Sequence, residues 1–220
     1  MSASVSLYTP AHFEAADRAA PARLMHDHPF ATLMTPAAPE PFVSHLPLLF
    51  VPGCEPHGML LGHMARANPH WRNAGAAESI AIFHGPHAYV SPSWYGEPAK
   101  AVPTWNYAVV HASGMLETLA DPVETRRVLD ALVSRFEAHR DPPWQFAMAE
   151  RERDAFVNAI VGFRMRIRRI STKLKLSQNR PETDQVRVAA ALEREDHPDA
   201  GQVAAWMREY GAAGRHQDPS

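Results

Sequence analysis

The chain has 220 residues, 45% of them hydrophobic and 21% charged, which excludes wholesale disorder and supplies enough apolar material for a proper core. Twenty-two lysines and arginines against 24 aspartates and glutamates leave a formal charge of −2, so no global positive field draws the chain to nucleic acid. A single cysteine, Cys54, excludes an internal disulfide framework and a cysteine-cluster zinc site. Met1 to Leu7 has neither the basic stretch nor the long apolar run of a signal peptide. The densest apolar stretch, Leu46 to Val51, contains Pro47 and falls far short of the roughly 20 residues of a spanning helix. The expectation is a cytoplasmic protein with no membrane partner.

Taken in chain order, a leading helix is expected from Thr9 or Pro10 towards His26, with Phe13, Ala16 and Ala20 on one stripe and a bend or break at Pro21. Fourteen of the 20 prolines precede residue 104, and prolines this dense punctuate short strands. β-prone runs follow at 30–35, 42–51, 58–62, 79–84 and 87–91, and a longer one at 104–118. Asp121-Pro122-Val123-Glu124 combines an N-cap, a first-turn proline and an early acid, so a helix starts there, with Leu129, Leu132, Val133 and Phe136 as its buried stripe. Phe163, Met165 and Ile167 alternate with Arg164, Arg166 and Arg168 as in a strand. Two helices close the chain after Pro181; the last carries Val203, Trp206, Met207 and Tyr210 on one face and ends at Gly211. Six or seven short strands with few long helices predict an α+β antiparallel barrel with peripheral helices. The expected division is a barrel over 1–180 and a helical extension with a loose tail over 181–220. No glycine-rich nucleotide loop of the GxGxxG or GxxxxGK[ST] kind is present.

Four features carry candidate chemistry. Seven of 13 histidines lie between His45 and His111, and His84-Gly85-Pro86-His87 resembles a ligand pair. With no HExxH and few carboxylates nearby, they are better read as partners of turn carbonyls than as metal ligands. Cys54, in a Pro/Gly turn, makes a poor nucleophile. Gly62-His63-Met64-Ala65-Arg66-Ala67-Asn68-Pro69 leaves a strand for a turn, where Arg66 and Asn68 are of the right type to meet a phosphate. From Arg164 to Arg180 there are seven basic residues and no acid, ending in the polar cluster Ser177-Gln178-Asn179-Arg180. Tyr89, Trp94, Tyr95, Trp105 and Tyr107 are interleaved with polar residues, which suits either a pocket for a planar ring or an interface.

Several of these segments are long and specific: Leu7-Tyr8-Thr9-Pro10, Ser44-His45-Leu46-Pro47-Leu48-Leu49, Gly62 to Trp71, Phe83 to Tyr95, Pro103-Thr104-Trp105-Asn106-Tyr107 and Lys175-Leu176-Ser177-Gln178-Asn179-Arg180. On them the chain resembles the PaiB family of FMN-binding negative transcriptional regulators. The resemblance implies a flavin-reductase-like split β-barrel, a homodimer with FMN at the subunit interface, and a DNA or transcription partner. For FMN it implies Arg66 and Asn68 at the phosphate, helped by Ser44 or His45. Thr104, Trp105 and Asn106 would meet the ring or ribityl chain, and Ser177, Gln178 and Arg180 would close the site. His63 is counted with the cofactor-binding residues, and for the oxidoreductase alternative His63 and His111 are the candidate general acids or bases. An FMN-dependent oxidoreductase using NAD(P)H is the alternative, and a haem-binding split barrel a weaker one.

Overall fold

The computed structural model describes residues 7–15, 19–54 and 56–211. Strands β1 (Phe30–Thr35), β2 (Phe42–Pro47), β3 (Leu49–Val51), β4 (Met59–Ala65), β5 (Glu78–Val90), β6 (Thr104–Thr118) and β7 (Ile160–Lys175) form one sheet in the order β2-β1-β5-β6-β7-β4-β3. The registered pairs β1–β2, β1–β5, β3–β4 and β4–β7 are all antiparallel. Period-two alternation decides which face of each strand is buried: Ala31, Leu33 and Thr35 of β1 and Ser44 and Leu46 of β2 point inward, while Phe30, Val43 and His45 point out.

The 42–51 run, expected as one strand, is two. Pro47 lacks the N–H that would continue the ladder, and buried Leu48 instead donates its N–H to Pro29 O at 2.9 Å. This break determines the curvature of the sheet. Seven strands laid flat would hold the edges about 29 Å apart. Edge strands β2 and β3 are joined by Leu48 alone, and that link spans only about 7 Å. The sheet has to curl until its edges meet.

The two runs expected at 79–84 and 87–91 are, conversely, one strand, β5. Its buried side switches phase at Gly85-Pro86, from Ser79, Ala81 and Phe83 to Ala88 and Val90. Glycine is required at 85 because a Cβ there would sit 2.9 Å from Leu24 and 3.2 Å from Ala108. The leading helix is also split. A 3-10 turn over Ala11–Phe13 buries Phe13, and α1 spans Ala19–Asp27, with Ala20, Leu24 and Met25 buried. Pro21 lies in the first turn of α1, where an N–H has no intrahelical partner to lose. Ala16 falls outside the described residues.

Helix α2 (Pro122–Glu137) starts as its sequence dictates, Asp121 Oδ1 accepting from Val123 N at 2.8 Å. Its buried stripe is Thr125, Val128 and Leu132, so the inward face is rotated from the expected one and Leu129, Val133 and Phe136 are only half-buried. The cause is close packing: a Cβ on Gly162 of β7 would lie 2.7 Å from Thr125 Oγ1, so this glycine lets the helix settle on the sheet. Helix α3 (Glu150–Asn158) lies in a stretch whose periodicity singled out no element; Glu152 folds back to accept from Ala149 N at 3.3 Å and fixes its start. Helices α4 (Glu182–Leu192) and α5 (Ala200–Tyr210) pack on each other, with Val188, Ala189, Leu192, Val203 and Met207 buried.

The chain resolves into two compact units. Among the described residues, the first comprises those up to Leu24, His84–Val110 and those from Ser171 to Gly211, and so contains α4 and α5; the second comprises those of Met25–Phe83 and His111–Ile170.

Candidate functional site

The second unit holds Ser44, His45, His63, Arg66 and Asn68. Where β4 ends, Asn68 caps the 3-10 turn Pro69–Asn73 by accepting from His70 N at 3.0 Å, and donates its own Nδ2 to Ser44 Oγ at 2.9 Å. His70, fully buried, links Ser44 Oγ at Nδ1 and Thr35 Oγ1 at Nε2, both at 2.9 Å, and Thr35 Oγ1 meets Ser79 Oγ at 2.6 Å. One proton arrangement satisfies the row: Asn68 donates to Ser44, Ser44 to His70 Nδ1, His70 Nε2–H to Thr35, and Thr35 to Ser79. Burial holds the His70 pKa below its ordinary value, as this neutral form requires. Arg66 is likewise committed, Nε donating to Asn158 O at 2.6 Å and Nη2 to Ile160 O at 2.8 Å. Trp71 Nε1 donates to Arg66 O at 3.1 Å. The group braces the chain where β4 leaves the sheet.

His45 points outward and pairs across strands with Thr32, Nδ1 to Oγ1 at 3.1 Å. His63 is opposite Gly162 in the β4–β7 register, so it shares that glycine's side of the sheet, the side covered by Thr125 of α2. Its Nδ1 is buried without a partner and burial lowers its pKa, which makes it a neutral packing residue under the helix.

The first unit brings together Thr104, Trp105, Asn106, Ser177, Gln178 and Arg180. Alternation along β6 turns Asn106 inward, fully buried, with Nδ2 donating to Ser177 Oγ at 2.9 Å and to Met207 Sδ at 3.4 Å. It turns Trp105 and Tyr107 the other way, into an apolar slot of about 400 Å³ shared with His84, Gly85, His87, Ala108 and Val109. Trp105 is 48% exposed and meets Tyr89 edge-on at 6.1 Å. His87 Nδ1 lies 3.2 Å from Asp199 Oδ2 and 3.4 Å from Gly85 O, a turn carbonyl beside Pro86.

Ser177 follows β7 with φ +68°, a left-handed conformation that non-glycine residues seldom adopt, and its carbonyl accepts from Arg180 N at 2.9 Å. Gln178 folds over its own strand end, accepting from Leu176 N at 2.7 Å and donating to Leu174 O at 2.6 Å. Arg180 lies over the Tyr95 ring at 4.7 Å. Two residues that sequence reasoning saw only as members of a basic run belong to this group. Lys175 Nζ donates to Thr104 Oγ1 at 2.6 Å and Trp105 O at 2.5 Å, and Lys173 Nζ, buried, donates to Tyr8 O at 3.0 Å. Their alternation around Leu174 on a strand beside the aromatic β6 was the available signal. Burial lowers the Lys175 pKa, and repulsion from Lys173 and Arg180 lowers it further. Among the described residues no group of three or more His, Cys, Asp or Glu side chains is placed to hold a metal.

A curled seven-stranded sheet with peripheral helices is the split β-barrel class of flavin-binding proteins. The FAD and haem binding protein from Mycobacterium smegmatis matches with a TM-score of 0.59 at 19% identity, over 79% of this chain and 78% of that one. The flavocytochrome Anf3 from Azotobacter vinelandii matches with a TM-score of 0.58 at 13% identity, over 74% and 69%. At such identities the likeness is one of fold. Residues 7–169 match the family described as “Putative FMN-binding domain”, and the chain belongs to that family. It is 35% identical over 206 residues to “Protease synthase and sporulation protein PAI 2” of Bacillus subtilis, covering 92% of this chain and 97% of the relative. It is therefore an FMN-binding split-barrel protein of the PaiB type, with FMN as its cofactor. The residues of the first unit fit that group: the Trp105–Tyr107 slot is apolar and open enough for a planar ring, hydroxyls and amides stand beside it, and its charged neighbours are Lys173 and Lys175 on one side and Asp199, against His87, on the other.

Proposed function

We propose that this protein is a flavin-responsive regulator in which the slot of the first unit, lined by Trp105, Tyr107, His84 and His87, receives the isoalloxazine ring. The observation that carries this reading is the contrast in hydrogen bonding: Ser44, Arg66 and Asn68 are satisfied by one another and by backbone, whereas Trp105 stands half-exposed on an apolar slot. Asn106 and Ser177 set the backbone that presents Trp105, and Thr104 is held by Lys175. When bound, FMN supplies a redox-active chromophore. The chain's own residues bind it, orient it and shield one face.

Regulation runs through a partner rather than through DNA read by the C-terminal helix pair. On α5 the basic Arg208 is paired with Glu193 at 2.5 Å, and on α4 Arg187 lies 3.7 Å from Asp184, so neither helix carries a free basic face. Among the described residues no helix is long and apolar enough to cross a membrane, and we place the protein in the cytoplasm. We also assign a homodimer. On the outer face of β1 and β2, Phe30 is 64% and Val43 46% exposed, flanked by Met34, Ile80 and Ile82 in register, an apolar surface suited to a second copy.

Visible absorbance after gel filtration with excess FMN tests the reading directly: a retained flavin spectrum, lost on Trp105→Ala, is expected, and no retained flavin overturns it. Promoter DNA should show no low-salt retardation by the flavin-loaded protein alone. NAD(P)H consumption that scales with bound flavin would favour the oxidoreductase instead.

A further inference from the structure

Helices α2 and α5 both begin at an aspartate, and the two carboxylates do different things. Asp121 caps its own helix through Val123 N. Asp199, at the N-cap of α5, makes no cap hydrogen bond, although an aspartate there ordinarily satisfies a free helix N–H. Its Oδ2 instead accepts the backbone N–H of His87 in β5 at 3.3 Å and lies 3.2 Å from Nδ1 of the same residue. Gly85 O is a second acceptor near Nδ1, at 3.4 Å, so that nitrogen carries the proton and the ring is held in one tautomer. The Asp199 N–H is committed to His197 Nδ1 at 3.2 Å, and the His197 ring stands edge-on to His87 at 6.0 Å. His87 is a wall of the slot and faces Trp105 at 6.2 Å.

Other contacts of the helix pair lead to the same place. In α4, Asp184 Oδ1 accepts from Gly96 N at 2.9 Å, on the chain between β5 and β6. In α5, Met207 Sδ accepts from Asn106 Nδ2 at 3.4 Å, and Asn106 stands between Trp105 and Tyr107 on β6. The pair therefore holds both strands that frame the slot, and the Asp199 tie ends on the slot wall itself.

We propose that Asp199 is a positioning residue that couples the slot to the C-terminal helix pair. A planar ring laid against Trp105 and His87 fixes His87, His87 holds Asp199, and Asp199 steadies the first turn of α5. Helices α4 and α5 are then the element that reports an occupied slot to a partner. This coupling rests on the flavin reading above for the ring, but the tie itself is open to test without a ligand. Coupling between two places is reciprocal: if the ring steadies α5, loosening α5 at Asp199 weakens the ring's binding by the same factor.

The test uses the full chain, with FMN titrated by fluorescence and amide exchange followed over residues 200–210 with and without it. FMN should slow exchange there about 10-fold, and Asp199→Ala should weaken FMN by a similar factor, within the usual range of coupling between sites. In Asp199→Ala the FMN-dependent slowing should vanish. Asp199→Asn, which keeps an acceptor for His87 N, should retain most of both effects. A merely structural Asp199 would speed exchange equally with and without FMN; slowing by FMN that persists undiminished in Asp199→Ala therefore overturns the proposal and leaves the ring slot intact. If the wild type takes up no FMN, the ring assignment falls, and the ligand-free chain then decides on the tie. There His87→Ala and Asp199→Ala should each speed exchange over residues 200–203, and the double variant should do no more than the stronger single one. That result supports the tie; additive effects overturn it.

Discussion

The two polar clusters are built from similar residues and end in opposite states. In the second unit, Asn68, Ser44, His70, Thr35 and Ser79 form a row, buried beyond Asn68, in which each residue from Asn68 to Thr35 donates to the next, and Arg66 is spent on the carbonyls of Asn158 and Ile160. In the first, Lys173, Lys175 and Arg180 crowd together among carbonyls, a hydroxyl and ring faces, with Glu14 bridged to Lys173 but no ion pair to any of the three among the described residues. A network that satisfies itself fixes a fold. Uncompensated charge beside an apolar slot is the state a ligand can complete.

That contrast is broken most decisively at its structural pole. His70→Leu should cost roughly 3 kcal/mol in urea unfolding, because the Ser44 and Thr35 hydroxyls lose buried partners, yet leave flavin affinity unchanged. Comparable losses of affinity and stability would merge the two clusters into one site. Trp105→Ala should do the reverse, weakening flavin binding by about 10- to 100-fold, as truncation of an anchoring tryptophan does, with an unchanged urea midpoint.

Acid gives a smaller effect. His63 and His70 titrate below the ordinary value of about 6.5 because they are buried. Between those depressed values and 6.5 the unfolded chain binds more protons than the native one, so stability rises with pH across that window and is lost on acidification through it. The urea midpoint should therefore fall from pH 7.5 to 5.5, and His63→Leu, which also removes the orphaned Nδ1, should flatten the fall. A midpoint that is independent of pH in both proteins would remove the neutral assignment. The smallest change is expected from Arg66→Met: flavin affinity within about twofold, since its guanidinium serves backbone carbonyls. A loss beyond tenfold would move the phosphate to the second unit.

Much of the architecture was legible in local patterns. The Asp121-Pro122 start of α2, the alternation of β7 and the apolar face of α5 each depend on neighbouring residues alone, and they stand where the periodicity put them. Misreadings came where a distant partner decides. Pro86 looked like a strand end, but Gly85 lets the chain pass so close to Ala108 that β5 continues. The α2 stripe was centred on its larger side chains, whereas contact with Gly162 centres it on Thr125. Within the site, Trp105 and Arg180 were visible as types, but Lys173 and Lys175 stood out only as a basic run.

By itself, the sequence determined the short-stranded α+β class, the proline-marked turns and the membership of an FMN-binding family, because those reside in periodicity and in contiguous motifs. Only the tertiary structure decided what the polar residues do. Whether a serine, histidine or lysine is a brace or a binding group depends on whether its partners are already present, and here those partners come from strands more than 20 residues apart in the chain. The near-neutral composition, −2 over the whole chain, thus conceals a local cluster of cations over residues 173–180, and only the pairing of β6 with β7 sets it beside Trp105 and Tyr107.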